Sequence, residues 1–511
     1  MSDNGADSSE TLLIGIDAGS LSIFERLFEE GCTPVIEGLC TDGVVAPLES
    51  QIPPWTPSAW PSMYTGVNSG KHGAFGFADY DGYDWQILNA THVHEHALWK
   101  LLDERDLSSV VVNVPVTHPP DEIDGALVPG FMGPEDPDCH PPGLLDEIRE
   151  ELGEYGVYRS YEVGDDEITD EGKIEDYCNK IRMRGAAYRY LAERFEPDFG
   201  FVEFQHTDKL FHEFGGDDWG KVQSVYGALD EAVGEILEER DPEQVFIASD
   251  HGIGKYGGQE VFLNEYLCEQ GYVETTSAER ALPSWSPIRD DLRKGEERKG
   301  HNLAPNENGG AERREVDVAA SSAYMRHRSE FGVRLNLEGR EPEGVVPREE
   351  YDAVREALID DLKHFTAPDG DPVFERVAPS EEYFHGPERE HAVDVVTVPN
   401  EFDHHVSTTL PGSVFVDADG LWNHRLHGIF AAAGDGVDAT DLDDAHLFDV
   451  APTVMTAMGV PYSDRMDGKV LPIFDHEGEA TTYPEYEESE SEATADEEAV
   501  KERLADLGYL E

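Results

Sequence analysis

Positive charge is scarce in this chain. Lys plus Arg number 38, only 12 of them Lys, against 109 Asp plus Glu in 511 residues, for a formal net charge of −71. So strong an acidic excess argues against nucleic acid as a partner. The acid is spread through the whole chain rather than gathered in one tail, a pattern expected of a protein adapted to high salt. Self-repulsion of this size weighs on a fold at low ionic strength, whereas molar salt cuts the screening length to roughly 3 Å. Cysteine is scarce too. Cys32, Cys40, Cys139, Cys178 and Cys268 are odd in number and lack CxxC spacing, so reduced thiols and a cytoplasmic setting are expected. No run approaches the ~18 apolar residues of a membrane helix, and the opening MSDNGADSSE has neither the basic nor the apolar region of a secretion signal. A soluble protein without a membrane partner follows as the expectation. There is no internal repeat, no GKS/T phosphate loop and no GxGxxG dinucleotide unit.

What is present is a chain with 39% hydrophobic residues, long enough for a large core and more than one lobe. Leu12 to Ile16 reads as a buried strand that ends abruptly at Asp17, with helical periodicity following through Leu21, Phe24, Leu27 and Phe28. Strand-then-helix order is the signature of an α/β sheet, where ligands bind at the carboxyl ends of strands. Further strands are expected at Val110 to Asn113, Phe199 to Phe204, Val245 to Ala248 and Gly428 to Gly434. Amphipathic helices are expected around His96 to Arg105, from Pro142 to Leu152, from Ile174 to Phe195 and from Val222 to Glu239. The domain reading is a catalytic core over 1–265, an inserted α+β cap over 266–420, the end of the core over 421–475 and an acidic tail over 476–511. The cap's first part, roughly Ser277 to Asp317, reads as a mobile margin, and Glu477 to Asp496 as disordered tail ahead of one short terminal helix.

Polar residues stand where these elements begin and end. In IPPWTPSAWPSMYTGVNSGKHGAFG, Ile52 to Gly76, three prolines lead Thr56 into a helix start. Unpaired N–H groups and the helix dipole favour an anion there, although Thr56 can equally serve as a cap. Pro61 predicts a kink or a later helix start. Asp17 lies at a strand end, as a ligand or as a turn residue. Asp208 and His212, four apart after the strand FGFVEF, share one face of a helical turn, as metal ligands or as an ordinary ion pair. Asp250 and His251 close another strand ahead of Gly252, a local pattern suited to a metal site. Thr117 and His118 lie in a proline-rich loop and read as structural. Arg340, in the cap, is the candidate contact for an anionic substrate group, or else a partner for the abundant acid.

Together, Asp17, Thr56, Asp208, His212, Asp250, His251 and His424, with NVPVTHPP, LNLEGREPEGVV and DVAPTVMTAMGVPYSDRMDGKVL around them, resemble the alkaline phosphatase superfamily. The match is nearest to its type I phosphodiesterase/nucleotide pyrophosphatase branch, with phosphohydrolase and phosphomutase relatives, and covers roughly Leu12 to Leu471. The resemblance implies an alkaline phosphatase-like α/β fold, a mostly parallel central sheet flanked by helices. It makes Thr56 the nucleophile, with Asp208, His212 and His424 holding one divalent metal and Asp17, Asp250 and His251 the other. His424 is preferred over His427 because the family histidine precedes Arg and stands four residues ahead of the strand glycine, here Gly428. Zinc suits these donors, with manganese as the alternative. The implied activity is hydrolysis of a small phosphodiester or phosphomonoester through a phosphothreonine, with phosphoryl transfer on the same scaffold, or metal binding without turnover, as other readings. Ala59 departs from the asparagine that diesterases of this superfamily often place three residues after the nucleophile, and TPSAW does not satisfy the sulfatase motif.

Overall fold

The computed structural model describes residues 10–153, 155–158, 169–277, 314–417, 422–438, 442–487 and 500–501. The stretch expected to be a mobile margin lies almost wholly outside them, as does the expected terminal helix. The chain divides into two compact units. One draws on Met1–Ala74, Leu88–Gly254 and Trp422–Ala495, the other on Phe75–Ile87, Lys255–Leu421 and Asp496–Glu511. The second unit thus recruits a segment far upstream of the expected insertion: the hairpin strands Ala78–Asp81 and Asp84–Ile87.

The first unit is built on one eight-stranded sheet. Its strands in chain order are β1 (Thr11–Ile16), β2 (Val44–Glu49), β3 (Ser109–Val112), β4 (Gly125–Val128), β5 (Phe199–Phe204), β6 (Gln244–Ala248), β7 (His427–Gly434) and β8 (Ala445–His446). They lie side by side as β8-β2-β7-β6-β1-β5-β3-β4. Only β7 runs against its neighbours, antiparallel to β2 and β6, while the remaining pairings are parallel. The central strands read as unbroken apolar runs because both faces are covered. On one face Leu12, Ile14 and Ile16 pack with α1 (Leu21–Glu29), α4 (Asp170–Phe195) and α6 (Trp219–Arg240); α2 (Pro34–Asp42) and α5 (His206–Phe214) also belong to this unit. On the other lies α3 (Thr56–Thr65), whose Trp60 meets Phe201. Gly15 makes that packing possible, since a Cβ there would sit 2.6 Å from the Trp60 ring. At about 25 cal/mol per Å² of buried apolar surface, each such side chain contributes about 2 kcal/mol.

Two expectations are corrected. Pro61 sits inside α3, yet the helix starts at Thr56 and ends at Gly66 in the left-handed conformation that glycine tolerates. The tail is not wholly unstructured either: Ala480–Thr481 pairs in parallel with Tyr462–Ser463, and Tyr483 is buried with its hydroxyl donating to the Pro461 carbonyl. Two aromatic anchors, Tyr483 and the partly buried Tyr486 beside His96, offset the acidity that suggested disorder.

The second unit is smaller and of mixed α/β character. Strands Ala323–Tyr324, Gly332–Leu335, Val395–Pro399 and Phe374–Pro379 form a four-stranded antiparallel sheet, and the helix Tyr351–Lys363 buries Leu358, Ile359 and Leu362 in the unit's core.

Candidate active site

In a parallel sheet every strand points its carboxyl end to one edge, and the loops there converge. Asp17 follows β1, Asp208 and His212 lie on α5 just after β5, and Asp250 and His251 follow β6. His424 reaches the same edge for the opposite reason. It precedes β7, and because β7 is antiparallel its start lies beside the end of β6, with Phe430 opposite Ala248. A Cβ on Gly428 would come within 2.0 Å of Ser249 Oγ, so only glycine lets the two chains approach this closely.

Six of the seven residues are almost fully buried, and their polar atoms meet. His212 Nε2 lies 3.1 Å from both Asp208 Oδ1 and His424 Nε2, and His424 Nε2 is 3.7 Å from Asp208 Oδ1. His251 Nε2 lies 3.2 Å from Asp250 Oδ2 and 3.6 Å from Asp17 Oδ1. The two clusters adjoin, with the rings of His251 and His424 stacked at 3.6 Å, and Asp208, His251 and His424 also converge within ligand-sharing distance. His427, the fallback, is exposed.

The imidazoles are oriented from behind. His424 Nδ1 lies 2.8 Å from the Pro54 carbonyl and His251 Nδ1 3.0 Å from the Gly252 carbonyl. A carbonyl only accepts, so each Nδ1 carries the proton and each Nε2 presents its lone pair to the cluster, as metal-binding histidines do. Asp250 Oδ1 accepts from the Ala18 N–H, whereas Asp17 Oδ1 and Asp250 Oδ2 are buried without a hydrogen-bond partner among the described residues. Burial pushes the Asp17 carboxyl well above its ordinary range, and the nearby Asp250 and Asp208 add to this; burial raises Asp250 as well. Asp208 goes the other way, because the facing imidazoles of His212, His424 and His251 outweigh its burial. Carboxylates crowded together with bare oxygens, faced by inward-turned imidazole lone pairs, form a site that fits divalent cations.

Thr56 sits at the first position of α3 and does not cap it. The preceding residue is Trp55, no side chain caps the helix, and Thr56 Oγ1 lies 3.4 Å from His251 Nε2. The helix is tied from behind: Asp467 accepts from the Asn68 N–H at 2.9 Å, and its own N–H donates to the Gly66 carbonyl.

Sequence reasoning passed over Glu203 and Asn113 beside this edge. Glu203 is fully buried, and its Oε2 accepts from Asn113 Nδ2 at 2.5 Å. Asn113 adopts a left-handed φ of 65°. The available signal was a carboxylate inside the otherwise apolar FGFVEF. Arg340 belongs to the second unit, where its guanidinium holds Asp394 through two 2.7 Å bonds and Glu341 through a third. Thr117 and His118 are buried; Thr117 Oγ1 donates to the Val114 carbonyl, and burial lowers the His118 pKa.

Solved structures share this architecture at low sequence identity. The phosphonoacetate hydrolase of Sinorhizobium meliloti 1021, solved with phosphonoformate, superposes with a TM-score of 0.53 at 15% identity, covering 88% of this chain and 96% of that one. The wild-type alkaline phosphatase PafA does so with a TM-score of 0.54 at 12% identity, covering 91% and 99%. No curated protein matches the sequence. The sequence pattern of "Type I phosphodiesterase / nucleotide pyrophosphatase" matches residues 11–428. The chain therefore belongs to the type I phosphodiesterase/nucleotide pyrophosphatase family, hydrolases of phosphoric ester bonds.

Proposed function

We propose that the chain is a two-metal phosphohydrolase that cleaves a small phosphodiester or phosphomonoester through a phosphothreonine at Thr56. The observation that carries this is the convergence of three carboxylates and three imidazoles on one sheet edge, with Thr56 Oγ1 beside them. Asp208, His212 and His424 would hold one ion, and Asp17, Asp250 and His251 the other. Mixed carboxylate and imidazole donors suit zinc, with manganese as the alternative. Bound there, the ions would supply Lewis-acid stabilisation to the attacking and leaving oxygens.

The chain's own groups do the rest. Thr56 Oγ1 loses its proton to solvent as it attacks phosphorus, the P–O bond to the leaving group breaks and the departing oxygen takes up a proton, and water then cleaves the Thr56–phosphate ester, returning the hydroxyl and releasing phosphate or a phosphomonoester. Its place at a helix start brings the dipole to bear on the phosphoryl charge. With Ala59 in place of a side-chain donor, the backbone gains importance. The Ser58 and Ala59 N–H groups already bond the Trp55 carbonyl and Pro57 has none. That leaves Thr56's own N–H as the first-turn donor not taken by Trp55.

The test compares hydrolysis of bis-p-nitrophenyl phosphate and p-nitrophenyl phosphate in molar KCl, after chelation and with zinc or manganese restored. Metal-dependent release is expected. Thr56→Ala should lower it about 10³-fold or more, while Thr56→Ser retains part of it. Full activity in Thr56→Ala would remove the proposed nucleophile. Phosphorylation of an added alcohol in place of hydrolysis would make the enzyme a phosphotransferase.

A further inference from the structure

Helix α5 carries Asp208 and His212, and the short strand Trp422–Arg425 carries His424. The two histidines are not equally held. His424 is almost fully buried, with Nδ1 on the Pro54 carbonyl and its ring stacked on His251, and its strand pairs with Gly252–Lys255, which begins directly after His251. His212 has a side chain 22% exposed and stands in the last turn of a nine-residue helix. Its placement therefore follows the placement of α5.

Trp422 ties α5 to the strand of His424. Two residues before that histidine, it stacks its indole on the Phe211 ring with centroids 5.1 Å apart and planes at 22°. Phe211 is 1% exposed, directly precedes His212, and meets Tyr226 of α6 edge-on at 6.4 Å. The chain leaving α5 then runs along the same indole. A Cβ on Gly215 would come 2.8 Å from Trp422 Cδ1, and one on Gly216 2.4 Å from both Cζ2 and Cη2. Gly216 is not in the left-handed region, so what bars a side chain there is the indole itself.

We propose that Trp422 is a positioning residue for the ion that Asp208, His212 and His424 would share. Its stack on Phe211 and its seat along Gly215 and Gly216 set the distance between α5 and the strand, and so bring His212 Nε2 to 3.1 Å from His424 Nε2. The inference rests on the two-metal reading above. Groups that orient metal-binding imidazoles typically govern affinity by about 10- to 100-fold. Asp17, Asp250 and His251 take no residue from α5, so an ion held by them is indifferent to Trp422.

Cobalt(II) titration of the chelated full chain in molar KCl, followed by its visible absorption, tests this. Wild type should take up two equivalents. Trp422→Leu should weaken one of the two steps about 10- to 100-fold and leave the other as in wild type. The weakened step should be the one that His212→Ala removes, not the one that Asp17→Asn removes. Trp422→Phe, which keeps a ring against Phe211, should recover most of the loss. Gly216→Ala drives a methyl group into the indole and should weaken the same step, but should add nothing in the Trp422→Leu background, where the clash has gone. Should Trp422→Leu fail to fold, Gly216→Ala and Trp422→Phe carry the test. Equal weakening of both steps, or of neither, would overturn the proposal, as would additive effects of Gly216→Ala and Trp422→Leu. A wild type that takes up fewer than two cobalt ions would remove the two-metal reading, and the proposal with it.

Discussion

The two units bury charge in opposite ways. In the second, among the described residues, the buried Arg326 and Arg334 have their counter-charges in contact, Glu330 and Glu341, and the half-buried Arg340 holds the buried Asp394. In the first, Asp17 and Asp250 stand together with bare carboxylate oxygens, faced by histidine nitrogens that have been turned towards them. Paired burial holds a fold together. Unpaired burial is tolerated where something else completes it, so unmatched charge, rather than charge itself, marks the site.

The sharpest way to break this contrast is to neutralise one bare carboxylate. Asp250→Asn keeps an oxygen to accept from the Ala18 N–H but removes the charge proposed to hold a metal. We expect metal-restored hydrolysis to fall about 10³-fold or more. The chelated protein should melt no lower than wild type, because a buried charge beside Asp17 and Asp208 has gone. Loss of fold together with activity would put Asp250 on the structural side. Arg340→Met should do the reverse. It leaves Asp394, which is 3% exposed, with only the Leu335 N–H and the Tyr351 hydroxyl and no cation in contact among the described residues, and should cost about 3 kcal/mol of stability by denaturant titration while leaving KM unchanged in the folded variant. A raised KM with unaltered stability would instead return Arg340 to the substrate.

How far the site could be read from sequence follows the same line. The candidate ligand residues lay at element ends that hydrophobic runs delimit sharply: Leu12 to Ile16, Phe199 to Phe204 and Val245 to Ala248 all recur as strands within one residue at either end. Strand ends of a parallel sheet share an edge, so chain order alone placed Asp17, Asp208 and Asp250 together. His424 needed the resemblance as well, because nothing local announces that β7 runs antiparallel. The residues passed over, Glu203 and Asn113, owe their standing to a bond between two different strands' ends, and a pairing made only in three dimensions has no periodicity to detect. The recruitment of Phe75–Ile87 into the second unit was equally invisible, since a short hairpin carries no mark of the sheet or unit it will join.

His72 gives the contrast a control inside the first unit. It is as buried as His424 but fully paired: Nδ1 accepts from the Ala74 N–H at 3.1 Å, which leaves Nε2–H to donate to Ser62 Oγ at 2.8 Å. Ser62 in turn donates to Gln51 Oε1 at 2.6 Å. No lone pair remains for a cation, so His72 is structural despite its position just beyond α3. Burial lowers its pKa from 6.5 to about 3. The unfolded chain therefore takes up a proton that the folded chain refuses, and this contribution is present above pH ~6.5 and drains away as pH falls towards 3. At ~1.4 kcal/mol per pH unit, the loss by pH 5 is about 2 kcal/mol. His72→Gln, which cannot titrate, should be less stable than wild type at pH 8 and should close about 2 kcal/mol of that gap by pH 5 in urea titrations at fixed salt. An undiminished gap would mean that His72 is already protonated in the fold, and the distinction between paired and ligand-bearing histidines would have to be redrawn.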